Sequence, residues 1–185
     1  IAIPAAFGLS ILSEPVYTVL KYRGGYQILT IGAFTLILTA ILQIQTTILQ
    51  SLNRLYYAIA SLSVSVIIKL ALNYILIGIP SIRIYGAVIS TYISTFIAIM
   101  LNVKLLQNKE NLNLHLLKAS KKPLFSSIAM YLAILIIYFP LKNFIPQLFE
   151  HYLFNLVFIA VAILLGVIVY FVALAKLKGI NADMV

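Results

Sequence analysis

The chain contains no cysteine, four acidic residues and two histidines, and only 9% of its residues are charged. Without cysteine there is no disulfide, no thiolate zinc site and no thiol nucleophile. Four acids and two histidines leave little for a metal site, and neither a metal nor another cofactor is expected. His115 and His151 are read at opposite surfaces of the membrane that the long apolar runs imply, too far separated to act together, and no serine is placed with both a histidine and an acid. No P-loop and no GxGxxG is present. The sequence therefore offers nothing to an enzyme mechanism. A basic n-region with a small-residue cleavage site is also missing, so no signal peptide is expected.

What is abundant is apolar surface: 63% of the 185 residues are hydrophobic and the mean hydropathy is +1.10. A soluble domain of this length still exposes about a third of its chain surface, too much for this composition to survive in water. Long apolar runs point instead to an integral membrane protein, an all-α polytopic helix bundle. Six spans are read: Ile1–Ser13, Gln27–Gln50, Tyr57–Ile79, Tyr85–Leu106, Pro123–Phe139 and Tyr152–Ala175. The first starts inside an apolar run and is expected to be clipped, part of a longer chain. Barrel strands are a poor alternative, because they are short and alternate in polarity.

The net charge of +9 raises the question of nucleic acid. In a membrane chain, basic residues collect in cytoplasmic loops beside anionic lipid headgroups, and no nucleic-acid partner is expected. Six crossings place Arg54, Lys104, Lys109, Lys118, Lys121, Lys122, Lys176 and Lys178 on one side. Lys21, Arg23, Arg83 and Lys142 fall on the other. The richer side is read as cytoplasmic, which puts the C-terminus inside a cell membrane. The segment 104–122 (KLLQNKENLNLHLLKASKK) reads as an amphipathic helix on that surface. The loop 141–152, with Pro146, reads as interfacial.

Polar residues inside the spans are ordered. Gly32, Thr35, Thr39, Gln43, Thr46 and Gln50 occupy 18 residues in five helical turns and share one face. Tyr57, Ser61, Ser65, Lys69 and Asn73 recur every four residues, making a slanted polar ridge. Gly86, Ser90, Ser94 and Ala98, with Asn102 beyond, form a small-xxx-small row, the pattern of closely packed helices. The last two spans show almost no polar residue and are read as touching lipid over much of their surface. By chain order this gives four polar-faced helices in 1–106, a cytoplasmic linker 107–122, a terminal pair 123–176 and a tail 177–185.

Lys69 is the outlier: a cation near mid-span, where a charged side chain costs about 2.5–3.5 kcal/mol on insertion scales. A water-filled cavity, a carboxylate on another helix, or a neutral amine would each offset that cost. Glu14, Glu110, Glu150 and Asp183 are all read as lying in loops or at ends, leaving the embedded charge positive. That suits an anionic solute better than a coupling cation.

Four segments taken together resemble a known family: IPAAFGLSILSEPVYTVL (3–20), ILQSLNRLYYA (48–58), IIKLALNYILIGIPSIRIYGAVIST (67–91) and KKPLFSSIAMY (121–131). The chain resembles the C-terminal part of the polysaccharide-exporter and lipid-flippase branch of the multidrug/oligosaccharidyl-lipid/polysaccharide superfamily, in the sporulation stage V protein B group. Leu49, Gln50, Leu52 and Arg54 match its Leu-Gln-Gly-Leu-Gly-Arg loop, while Ser51 and Asn53 replace the glycines. Asn53 can still take a left-handed backbone conformation. The resemblance implies a fourteen-helix transporter of which these are the last six helices, with a further N-terminal lobe as partner. It implies a flippase or exporter for a lipid-linked anionic oligosaccharide or polysaccharide precursor, working by alternating access. Lys69, Asn73, Ser65, Ser61, Gln43, Thr39 and Gln50 would line the path, and Arg54 the cytoplasmic mouth. A cation-coupled multidrug exporter of the same superfamily and a non-transporting membrane scaffold remain the alternatives.

Overall fold

A computed structural model describes residues 1–22, 24–80, 82–110, 116–144 and 151–177, with side chains left aside at 108–110 and 116–120. All regular structure among the described residues is helical: α1 (Ala2–Ile11), α2 (Ser13–Val19), α3 (Tyr26–Gly32), α4 (Thr35–Ser51), α5 (Leu55–Ile77), α6 (Ile84–Glu110), α7 (Leu116–Phe144) and α8 (Tyr152–Lys176). Five stretches are long and apolar enough to cross a membrane: Tyr26–Ser51, Leu55–Ile77, Ile84–Gln107, Lys121–Phe144 and Tyr152–Lys176. The α1–α2 pair makes a sixth if its 66° bend is counted as one broken span. The protein is a multi-pass membrane helix bundle.

Contacts sort the helices into two compact units, α1–α3 with α7 and α8, and α4–α6. This differs from the division by chain order into 1–106 and 123–176. The first helices pack on the terminal pair, a non-local pairing that linear polarity does not reveal. The expected surface helix of the 104–122 segment also looks different at its ends. α6 continues to Glu110 and α7 begins at Leu116, so the flanking spans extend into it. Residues 111–115, the 145–150 part of the interfacial loop, Arg23 and the tail from Lys178 lie outside the described residues.

In the first unit, Pro15 is fully buried. Its ring has no N–H to offer the carbonyl of Ile11 and collides with it, which breaks the helix at Leu12. The bend turns Ile11 and Leu12 into a core with Met130, Ile134 and Ala162. Gly166 lets α8 close on this core, since a Cβ there would stand 3.2 Å from Ile134 Cδ1. The buried edge of α8 is thus Asn155, Ala162, Gly166 and Leu174. Phe158, Ile159, Val169 and Tyr170 flank that edge half-buried, while Leu164, Ile168 and Phe171 are exposed and suited to lipid. A groove of about 180 Å³ between α7 and α8 is lined entirely by apolar side chains, among them Ile137, Phe158 and Leu165.

In the second unit, α6 presents Gly86, Ser90, Ser94, Ala98, Asn102 and Leu106, all buried. The small-residue row is a packing seam, as its spacing predicts. Lipid tails give no hydrophobic drive between helices, so close packing and interhelical hydrogen bonds must hold this seam.

The α4–α5 turn is a Schellman cap. Asn53 N–H donates to the Gln50 carbonyl (3.0 Å) and Arg54 N–H to the Leu49 carbonyl (2.8 Å). Asn53 has φ 61°, a left-handed conformation that asparagine adopts more readily than most residues. Asn53→Gly should fold as well as the parent. Asn53→Val, β-branched at positive φ, should lose about 1–2 kcal/mol, read as a lower thermal midpoint in detergent.

Candidate functional site

The ridge on α5 meets the small row of α6. Ser65 Oγ donates to the Ser94 carbonyl at 3.0 Å. Two turns further along α5, Asn73 Oδ1 accepts from Ser90 Oγ. Ser61 is 3% exposed and donates to the Ala58 carbonyl of its own helix. These three side chains, expected to line a path, are therefore engaged in holding α5, and Ser65 and Asn73 bind it to α6.

Lys69 lies on the same ridge, four residues from Ser65 and four from Asn73. It is half-buried. Among the described residues it forms no hydrogen bond or ion pair. The seam that satisfies its two neighbours gives the ammonium no partner among the described residues, since an ammonium only donates and the described side chains of α6 include no carboxylate.

On α4 the predicted polar stripe is the side turned away from the packed core. Of its members Thr39, Gln43 and Gln50 are exposed and Thr35 and Thr46 half-buried, while Gln45 and Leu49 on the other side are buried. The threonine hydroxyls serve themselves. Thr39 donates to Thr35 and Leu36 carbonyls, Thr46 to Leu42 and Gln43, and Thr47 to Gln43. Such back-bonding makes a hydroxyl tolerable in hydrocarbon. The carboxamides of Gln43 and Gln50 have no such recourse, and neither makes a side-chain hydrogen bond among the described residues. Neither is within hydrogen-bond distance of Lys69. Arg54 is exposed at the start of α5.

The carboxylate Glu14 requires a correction. Read from sequence as lying at a span's end, it sits in α2, one residue past Ser13 in the broken span. There it accepts hydrogen bonds from Tyr138 Oη (2.8 Å) and Lys142 Nζ (2.6 Å) of α7. Ser13 and Thr30 share a 2.6 Å hydroxyl hydrogen bond next to it. The expectation missed this because hydropathy sees SEP as a polar stop, whereas the proline bend keeps the segment packed.

Sequence reasoning also missed Gln45 and gave no role to Asn102. Gln45 stands off the polar stripe, and the only available signal was that it interrupts the apolar face of α4.

Among the described residues no three histidine or acidic side chains converge in the manner of a metal site. No family model, curated protein or solved structure matches this chain.

Proposed function

We propose that this chain is the C-terminal part of a membrane transporter that moves a lipid-linked, anionic oligosaccharide or polysaccharide precursor across a bacterial cell membrane. The observation that carries the reading is Lys69, a half-buried cation near the middle of α5 without a partner among the described residues. A stable membrane protein holds such a group where water or a solute of opposite charge can reach it. The exposed carboxamides of Gln43 and Gln50 support the same reading, since neither can be satisfied by acyl chains.

In this proposal Lys69 attracts the phosphate of the substrate as a point charge, with discrimination left to neutral donors and acceptors around it. Gln43 and Gln50 supply those contacts, with Thr39 between turns. Ser65 and Asn73 act one step back, holding α5 against α6 so that Lys69 keeps its position. The bundle works against a second lobe of a fourteen-helix protein by alternating access, and Arg54 meets the headgroup at a cytoplasmic mouth. The C-terminus is placed in the cytoplasm by the excess of basic residues on that side.

The test is transport by the full-length protein in cells lacking their own exporter. Removing a charge-assisted hydrogen bond costs about 1.5–3 kcal/mol, so Lys69→Ala should slow transport about 10- to 100-fold at unchanged abundance. Lys69→Arg should keep part of the rate. Full activity of the alanine variant removes Lys69 from the mechanism. These 185 residues contain no cysteine, so with any cysteines elsewhere in the protein replaced, accessibility is a second readout. Cysteines at 43 and 50 should react with a hydrophilic thiol reagent, while one at lipid-facing Ile168 should not. Protection at both glutamine positions favours a scaffold.

One observation favours a second reading, the cation-coupled exporter: Glu14 is an acid just past the 66° bend of the α1–α2 pair. Its carboxylate is already paired with Lys142. If it carries a coupling ion, Glu14→Gln should uncouple transport from the ion gradient rather than only lower protein stability.

A further inference from the structure

Beneath the α4–α5 turn lies a small apolar lid, formed by Leu49, Ala58 and Leu106, each 1% exposed. Two short turns connect α4, α5 and α6, so α4 and α6 run in the same direction. One helical turn before Leu49 is Gln45, and one turn before Leu106 is Asn102. One turn after Ala58, on the antiparallel α5, is Ser61. By that register these three polar residues fall in the next layer inward, and their exposures are 1%, 0% and 3%.

The layer is not self-sufficient. Gln45 Oε1, Asn102 Oδ1 and Asn102 Nδ2 are buried without a hydrogen-bond partner. Leaving them so forfeits the full desolvation penalty of each group, and the great majority of buried polar atoms find a partner. Three occupants of the layer can be compared by what they satisfy. A direct bond from Asn102 Nδ2 to Gln45 Oε1 answers two of the three atoms and orphans Asn102 Oδ1. A monovalent cation answers the two oxygens and faces the positive end of the Nδ2–H bond. One water molecule donates its two hydrogens to the two oxygens and accepts from Nδ2–H, answering all three. Flipping the Asn102 amide exchanges its donor and acceptor and leaves this count unchanged.

We propose that Gln45 and Asn102 form a binding site for a single internal water that ties α4 to α6, with Ser61 beside it and the leucine lid above. Three partners is the usual number for a buried water. The site needs no transport role and stands apart from Lys69, two turns further along α5. Its effect is to fix the register of three helices that otherwise share only apolar and small residues at this level. Sliding α6 by one residue along α4 carries Asn102 and its water away from Gln45 Oε1, so the bond that links the two helices is lost.

The experiment uses the whole protein that carries these 185 residues, in lipid nanodiscs, labelled with ¹⁵N at asparagine and glutamine. The Asn102 side-chain amide, assigned through bonds to its own backbone, should show a magnetisation-transfer cross-peak to water. The Asn73 amide, whose oxygen is held by Ser90, provides the internal comparison. Gln45→Leu should weaken the Asn102 water peak several-fold. Thermal midpoints give a second readout: Gln45→Met and Asn102→Leu should each lower the midpoint, and the double variant should lie closer to the parent than the sum of the two. An Asn102 amide that contacts Gln45 directly, without a water peak, overturns the proposal. So does an Asn102 shift that follows replacement of sodium by choline, which would make the occupant a cation. Strictly additive midpoints overturn it as well.

Discussion

Gly86→Val should leave little folded protein, because the α5–α6 hairpin closes on that glycine. A Cβ at position 86 would stand 2.7 Å from Leu76 Cβ, 2.9 Å from the Leu76 carbonyl carbon and 3.0 Å from its oxygen. Two of those atoms are backbone, so no rotamer change relieves them. The helices must separate, and separation pulls on the Ser90–Asn73 and Ser65–Ser94 bonds further along the seam. Overpacking alone costs about 1–3 kcal/mol. The loss of two interhelical hydrogen bonds within a membrane adds about 0.6 kcal/mol each. The sum is a large share of the stability of a small domain. Leu76→Ala should not rescue the variant, since it keeps the Cβ and both backbone atoms. Gly32→Ala is the control: a Cβ there would meet nothing within 4 Å, and alanine is the better helix former. It should match or slightly exceed the parent in thermal midpoint, with both variants read in the same detergent.

The spans were legible because bilayer thickness sets a length that a run of apolar residues must meet. So was the seam on α6, whose small residues recur at the interval that lets backbones touch, and so was the left-handed turn at Asn53. Other features depend on contacts between distant parts of the chain. The α8 edge of Ala162 and Gly166 has the same small-xxx-small spacing, yet it is submerged in a helix apolar on every side. Only Met130 and Ile134 reveal it as a seam. Pro15 marks the break near Leu12 in the sequence, but that the bend folds Ile11 and Leu12 into a core with α7 and α8 depends on contacts across the chain. The candidate site was legible in part. Periodicity singled out Lys69, Ser65 and Asn73 as one ridge. It did not distinguish the members that answer α6 from the one that answers nothing. Gln45 escaped notice because a lone polar residue on an apolar face has no periodic signal, although burial makes it costly; Asn102 was seen only as the continuation of the small-residue row.

Glu14→Ala should destabilise the first unit by about 2 kcal/mol, within the range for hydrogen bonds to charged groups. The carboxylate answers two donors on α7, the Tyr138 hydroxyl and the Lys142 ammonium. Both side chains of the ion pair remain roughly two-fifths exposed, at 41% and 37%, so screening keeps the effect below that of a fully buried pair. The substitutions should fall in an order that the geometry dictates. Tyr138→Phe removes one neutral donor and should cost least, about 1 kcal/mol. Glu14→Gln keeps an oxygen for Tyr138 and loses the charge that Lys142 needs, so it should lie between. The charge-reversed pair, Glu14→Lys with Lys142→Glu, should recover part of the loss of either single reversal, because opposite charges still meet at the same place. Thermal midpoints of the full chain would supply the double-mutant cycle. A coupling near zero would mean that the pair is incidental to the packing of α2 on α7. The 66° bend would then be held by Pro15 and the Ile11–Leu12 core alone. A clear coupling would instead make the ion pair a latch on a broken helix, with the proline opening the bend and the charges deciding how firmly it stays against α7.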